Sequence, residues 1–238
     1  MPIYQNIFIM NECISHLSKM KIKIKIKIKS QLKVDKLVDV LSKYINKTIT
    51  LKWVIEGENE SGIIEDKNIC GTIIENIVGS YLCKNFANIK KGLPQQPPDF
   101  IVDTDKFIEI KAYNKSPNFD ISNYNSFINQ ICEPNGIKNK IINTTFIVFN
   151  YECVDHGFRI LSIKSLKLWN IVGYDGCRPI SLQVKNNVWY NIRPKTNLSD
   201  IDQRRDFKYF IDKLLLTIDM CPSYTSDQRI KFIENIKS

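Results

Sequence analysis

Residues 98–111 read PDFIVDTDKFIEIK. Two apolar alternating runs flank a short polar break at Thr104-Asp105, the pattern of a β-hairpin, and Pro98 suits only the first position or the edge of a strand. In the second strand residues i and i+2 share a face, so Glu109 and Lys111 point the same way while Ile108 and Ile110 enter the core. Hairpin pairing brings Asp99 toward that same face. Two carboxylates and the Ile110 main-chain carbonyl form an all-oxygen set suited to Mg²⁺, which takes few protein carboxylates and completes its shell with water and phosphate oxygens. A lysine beside such an ion can orient an attacking water and stabilise charge growing on a phosphate.

The elements around this hairpin set its context. Upstream, Ile73, Ile74, Ile77, Val78, Tyr81 and Leu82 have helical spacing within 66–86, with Glu75 beside the apolar stripe. Downstream, Asp120 or Ser122 is expected to cap a helix carrying Tyr124, Ile128 and Ile131, which Glu133-Pro134-Asn135-Gly136 ends. NTTFIVFNY (143–151) is a near-continuous apolar run, the pattern of a strand covered on both faces. FRILSIK (158–164) is a further strand, and LQVKNNVWYNIRP (182–194) a hairpin turning at Asn186-Asn187. Helices are expected over 199–220 and from 226 onward. Ahead of the hairpin, 32–45 reads as a helix, TITLKWVIE (48–56) as one strand, and KIKIKIKIK (21–29) as a half-buried strand with lysines to water. No linker or internal repeat interrupts the chain. The expectation is one α/β domain over 1–238, a central mixed β-sheet flanked by helices: an N-terminal region 1–65, a catalytic core 66–151, and a recognition hairpin with C-terminal helices 152–238.

Acid-x-Lys alone carries no information, since with this composition chance supplies about three matches and three occur. Glu65-Asp66-Lys67 falls in a polar turn and Asp206-Phe207-Lys208 in an expected helix, where i and i+2 do not share a face. Only Glu109-Ile110-Lys111 combines strand context, apolar flanks and a Pro-Asp one strand upstream. The competing reading is a surface hairpin with a cross-strand acid-lysine pairing.

The 238 residues carry 34 Lys+Arg against 25 Asp+Glu, a net charge of +9. That excess points to a polyanionic partner, nucleic acid above all, although six arginines, two alanines and abundant Ile, Lys and Asn also fit an AT-rich coding sequence. Seven cysteines without a CxxC pair suggest reduced thiols, and His16 and His156 lack ligand-like company. No apolar run approaches a membrane span and the N-terminus lacks a signal-peptide pattern, so a cytoplasmic protein without membrane contact is expected.

The order helix with Glu75, Pro98-Asp99, Glu109-x-Lys111, helix, buried strand resembles the PD-(D/E)xK nuclease superfamily over residues 66–151. EIKAYNKSPNFDISNYNSFI, FIVFNY, LKLWNIVG and LQVKNNVWYNIRP further resemble type II restriction endonucleases of the NgoBV/NlaIV group. The resemblance implies a restriction-endonuclease-like fold and Mg²⁺-dependent hydrolysis of double-stranded DNA at a short palindrome, GGNNCC in that group, leaving 5′-phosphate ends. It also implies a homodimer matching the two-fold site, and a cognate DNA methyltransferase as genetic partner rather than stable subunit. Asp99, Glu109, Lys111 and Glu75 would be catalytic, with Asp99, Glu109 and Ile110 at the metal. The 21–29 ribbon lies outside the resemblance. Two alternatives stay open: another nuclease of this superfamily, for repair or junction resolution, and a non-catalytic nucleic-acid-binding protein.

For DNA contact, Gln183, Lys185 and Arg193 sit on the late hairpin, where Gln can bond adenine and Lys or Arg guanine. Asn118 and Ser122 follow the catalytic strand and can reach phosphate. Asp120 is the favoured helix cap, and Arg204, Arg205 and Lys208 form an expected solvent-facing basic helix face.

Overall fold

The computed structural model describes residues 31–54, 61–63, 69–93, 97–174, 177–199, 202 and 204–237. The 21–29 ribbon, His16 and Glu65-Asp66-Lys67 lie outside the described residues.

In chain order the elements are α1 (Leu37–Leu41), β1 (Thr48–Thr50), β2 (Lys52–Val54), β3 (Ser61–Ile63), α2 (Cys70–Asn85), β4 (Ile89–Lys91), β5 (Phe100–Val102), β6 (Lys106–Asn114), β7 (Ser122–Asn123), α3 (Tyr124–Ile131), β8 (Thr144–Val154), β9 (Gly157–Leu166), α4 (Leu168–Ile171), β10 (Leu182–Lys185), β11 (Val188–Ile192), α5 (Phe207–Met220) and α6 (Ser226–Lys237). A six-stranded sheet has the order β1-β9-β8-β6-β5-β4, and a three-stranded sheet the order β10-β11-β7. The large sheet is mixed: β6 and β8 are parallel (Glu109↔Phe146, Lys111↔Val148), while β5–β6 and β8–β9 are antiparallel. The expected α/β architecture of a mixed sheet flanked by helices is therefore present.

Alternation sorts each strand between two cores. Ile108, Ile110, Ile147 and Phe149 join Ile74, Val78 and Leu82 of α2 on one face. Tyr113, Phe146 and Val148 join Tyr124, Phe127 and Ile128 of α3 and Phe210 and Leu214 of α5 on the other, and this second cluster runs on to Trp189 and Ile192 of β11. Each fully buried Leu, Ile or Phe contributes about 1.5–3 kcal/mol. β8, buried over Thr144–Phe149, needs apolar residues on both faces, which is why its sequence is a run rather than an alternation.

Three expectations shift. TITLKWVIE is not one strand: Leu51 turns into the core with its N–H on the His156 carbonyl (3.0 Å), so β1 pairs with β9 and β2 with β3. The helix expected over 199–220 begins at Phe207, because the Asp206 carboxylate accepts from Tyr209 N–H (2.8 Å) and caps it there. Neither Asp120 nor Ser122 caps α3. Asn123 does, accepting from Ser126 N–H at 3.1 Å, since pairing of β7 with β11 holds Ser122 and Asn123 in extended backbone up to the helix start. The 182–192 hairpin forms as expected, with Asn186 and Asn187 both at positive φ (49° and 63°).

Gly79 lets α2 sit directly on Phe100, next to Asp99: an added Cβ would lie 2.8 Å from the buried ring, whereas at Gly71 it would meet nothing within 4 Å. Gly79→Ala should therefore cost about 1–3 kcal/mol of overpacking, against up to about 1 kcal/mol gained from helix propensity. Gly71→Ala should be neutral or stabilising. Urea unfolding of the two variants checks the opposite signs.

Candidate active site

The hairpin residues converge where β5 begins. Extending the Phe100↔Ile108 register by one step sets Asp99 across from Glu109. Because no β5 residue pairs with Ile110, its N–H would be left open, and Asp99 Oδ2 accepts it at 2.6 Å. The Asp99 carbonyl in turn accepts Gly92 N–H at 2.8 Å. A Cβ at Gly92 would fall 1.8 Å from the Pro98 carbonyl oxygen, so only glycine allows this approach. Lys111 Nζ stands 3.7 Å from Glu109 Oε2. Glu75 enters from α2 and Lys91 from the end of β4; with Asp99, Glu109, Lys111, Asp120, Ser122, Asn123 and Ser126 they line a cleft of about 640 Å³.

The electrostatics follow from burial. Glu109 is 7% exposed, and loss of solvent pushes its carboxyl up to about 7, against the pull of Lys111 and with a smaller push from Asp99. Asp99 is raised by burial, opposed by the Ile110 N–H and by Lys111 and Lys91. Glu75 is raised by burial and then by Asp99. Three carboxylates that resist ionisation share one cleft, and a cation placed among them would relieve that cost.

The donor chemistry fits a hard, oxygen-loving ion. Among the described residues no group of three or more His, Cys, Asp or Glu side chains could hold a metal by itself. Asp99, Glu109 and the Ile110 carbonyl would supply part of a shell, with water and phosphate oxygens completing it, which is the habit of Mg²⁺ rather than of Zn²⁺ or Ca²⁺.

The other candidates lie apart from this cluster in different ways. Ser122 lines the cleft, whereas Asn118 gives its carbonyl to Arg193 Nη2 (2.5 Å) and Asp120 pairs with the same guanidinium. Gln183 Oε1 accepts from Asn191 Nδ2 (3.2 Å), and Lys185 Nζ lies over the exposed Tyr190 ring (4.5 Å). Arg204 and Arg205 precede α5 and share Asp202 instead of forming a helix face. Sequence reasoning missed Lys91, Asn123 and Lys140, the last a cation acting on Glu109. Asn123 had a usable signal, being a cap-type residue directly before the helical run. Lys91 had none, because only the β4–β5 pairing places it.

The family model described as "NgoBV restriction endonuclease" matches residues 28–229. Among solved structures, the NlaIV restriction endonuclease superposes with a TM-score of 0.73 at 24% identity, covering 87% of this chain and 89% of that one. At that identity the likeness is one of fold. No curated protein matches the chain.

The raised Glu109 carboxyl sets a pH dependence. Between its ordinary value of 4.5 and about 7 the folded protein holds a proton that the unfolded chain has released, so this residue lowers stability as pH rises through that window. In metal-free buffer Glu109→Gln should therefore be no more stable than the parent at pH 4 and more stable by on the order of 2–3 kcal/mol at pH 8. Denaturant midpoints at the two pH values measure this, and a pH-independent difference would refute it.

Proposed function

The chain belongs to the NgoBV restriction endonuclease family and is a site-specific deoxyribonuclease of double-stranded DNA; we propose that it hydrolyses phosphodiester bonds with Mg²⁺ at Asp99, Glu109 and the Ile110 carbonyl, leaving 5′-phosphate ends. The observation that carries this reading is the Asp99 carboxylate held on the Ile110 N–H across from the buried Glu109, whose own carboxylate lies 3.7 Å from Lys111 Nζ.

When bound, the ion would polarise a phosphoryl oxygen and lower the pKa of a water. The chain's own residues do the rest. Asp99 and Glu109 hold two fixed negative oxygens at one end of the sheet, and strand geometry puts the Ile110 carbonyl on the same edge of β6 as the N–H that Asp99 accepts. Lys111 aligns the attacking water and meets the charge that grows on the phosphate, as preorganised donors do. Glu75, on α2, shares the Asp99 field and helps retain the cation. Lys91, which already acts on both Glu75 and Asp99, neutralises an incoming phosphate.

DNA contact falls to the β10–β11 hairpin and the segment before α3. Lys185 suits guanine in a site of the GGNNCC type, Gln183 has the donor-acceptor pair that bonds adenine where a site presents one, and Ser122 and Asn118 suit phosphate. A two-fold homodimer would match such a palindrome, and a methyltransferase would protect host DNA in the same cytoplasm. The buried cluster that continues from Tyr113 and Phe146 to Trp189 and Leu214 supports one domain holding both cleavage and recognition. No helix among the described residues is long and apolar enough to cross a membrane.

Plasmid DNA incubated with the protein and Mg²⁺ should give discrete fragments, and Lys111→Ala or Asp99→Ala should slow their appearance by at least about 100-fold. Unaltered cleavage by either variant would remove the site assignment. Smears or structure-dependent cuts would indicate another nuclease of the superfamily, and salt-sensitive binding without turnover a binding protein. Separately, Mg²⁺ at about 100 times its dissociation constant should stabilise the parent by about 2.7 kcal/mol. Asp99→Asn/Glu109→Gln should lose that gain in thermal unfolding.

A further inference from the structure

Arg193 does not stand free on the recognition hairpin. Its backbone is pinned on both sides, the N–H on the Ser181 carbonyl (2.9 Å) and the carbonyl on Gly173 N–H (3.0 Å). Its guanidinium reaches back to the segment that follows the catalytic strand, donating Nη1 to the Asp120 carboxylate and Nη2 to the Asn118 carbonyl. Residues 117–121 carry no regular secondary structure. Asp120 nevertheless lines the same cleft as Asp99, Glu109 and Lys111.

Two further links run in parallel. Ile121 N–H donates to the Ile192 carbonyl (3.0 Å), and β7 pairs with β11 through Ser122↔Ile192 and Asn123↔Asn191. The Asn123 side chain then spans hairpin and helix, donating Nδ2 to the Tyr190 carbonyl (3.1 Å) while its Oδ1 caps α3. Ser122, Asn123 and Ser126 line the cleft as well. The part of the cleft lined by Ser122, Asn123 and Ser126 is therefore hung from the strand whose hairpin carries Gln183 and Lys185.

Resting on the endonuclease reading above, we propose that Arg193 is a positioning residue: its clasp on Asp120 and Asn118 carries the seating of the β10–β11 hairpin on DNA to the cleft wall, so that cleavage rate depends on the bases read. A guanidinium suits this role because its rigid fork holds a carboxylate and a carbonyl at once, which a lysine ammonium does not reproduce. The side chain is 28% exposed, and Asp120 52%, so the clasp sits at the rim that DNA would cover.

The test compares the parent with Arg193→Lys, Asp120→Asn and the exchanged pair Asp120→Arg/Arg193→Asp. Two short duplexes serve as probes, one carrying the site mapped from the parent's plasmid fragments and one with a single base of it changed. Binding is measured in EDTA, single-turnover cleavage with Mg²⁺, and thermal unfolding confirms that each variant is folded. The single variants should bind the mapped duplex within about threefold of the parent, yet cut it about 10–100-fold more slowly, as expected when a coupling free energy is lost. Cleavage of the altered duplex should stay the same, so discrimination collapses, and the exchanged pair should recover part of the loss. Three results would overturn the clasp: binding lost by the same factor as rate, which marks a direct base contact; both duplexes slowed equally, which marks a structural prop; or an exchanged pair no better than the worse single variant. A parent that yields no fixed fragments would instead overturn the endonuclease reading on which the clasp depends.

Discussion

Strand β6 must bury a carboxylate. It lies between β5 and β8 with helices packed on both faces of the sheet, so the side chain at Glu109 leaves water as the fold forms, and the cation that pairs with it is Lys111, on the same face two residues on. Desolvating an ionised carboxylate costs several kcal/mol unless it is paired and hydrogen-bonded, and the upward displacement of the Glu109 carboxyl to about 7 registers what is left uncompensated. Asp99 deepens the constraint by taking the Ile110 amide that the late start of β5 leaves open. A metal ion and its phosphate ligand bound at this end of the sheet would offset that cost.

The surrounding charge gains meaning from this arrangement. A net charge of +9 on its own separates nucleic-acid binding from lysine-rich codon usage poorly. Placement is more informative than the sum: Lys91, Lys111 and Lys140 each act on at least one cleft carboxylate from a different element. An acidic centre ringed by lysines can accept a polyanion that a bare acidic centre would repel.

What could be read from the sequence was what local chemistry determines. Period-2 alternation defined β5 and β6, the unbroken apolar run defined β8, and Asn186-Asn187 defined the late turn, because each signal is complete within a dozen residues. That Glu109 and Lys111 share one face followed from that alternation. Features set by long-range pairing escaped. The cap of α3 could have been Asp120, Ser122 or Asn123, and the choice was made by β11, some seventy residues away, which holds Ser122 and Asn123 in a strand. Lys91 is one lysine of a pair until β4 docks on β5, and Leu51 interrupts a plausible strand only because a core cluster formed elsewhere draws it in. Arg193 illustrates the same limit: a hairpin arginine suggests base contact, whereas the fold engages it with Asp120 and Asn118.

The central claim is that Asp99, Glu109 and the Ile110 carbonyl form one cation site at the end of β6. Crystals of the protein soaked in Mn²⁺, with anomalous scattering recorded at the manganese edge, test it most directly. Expected is a peak about 2 Å from a carboxylate oxygen of both Asp99 and Glu109 and from the Ile110 carbonyl oxygen. A fully occupied peak elsewhere, with the Asp99–Ile110 and Lys111–Glu109 contacts unchanged, would contradict it.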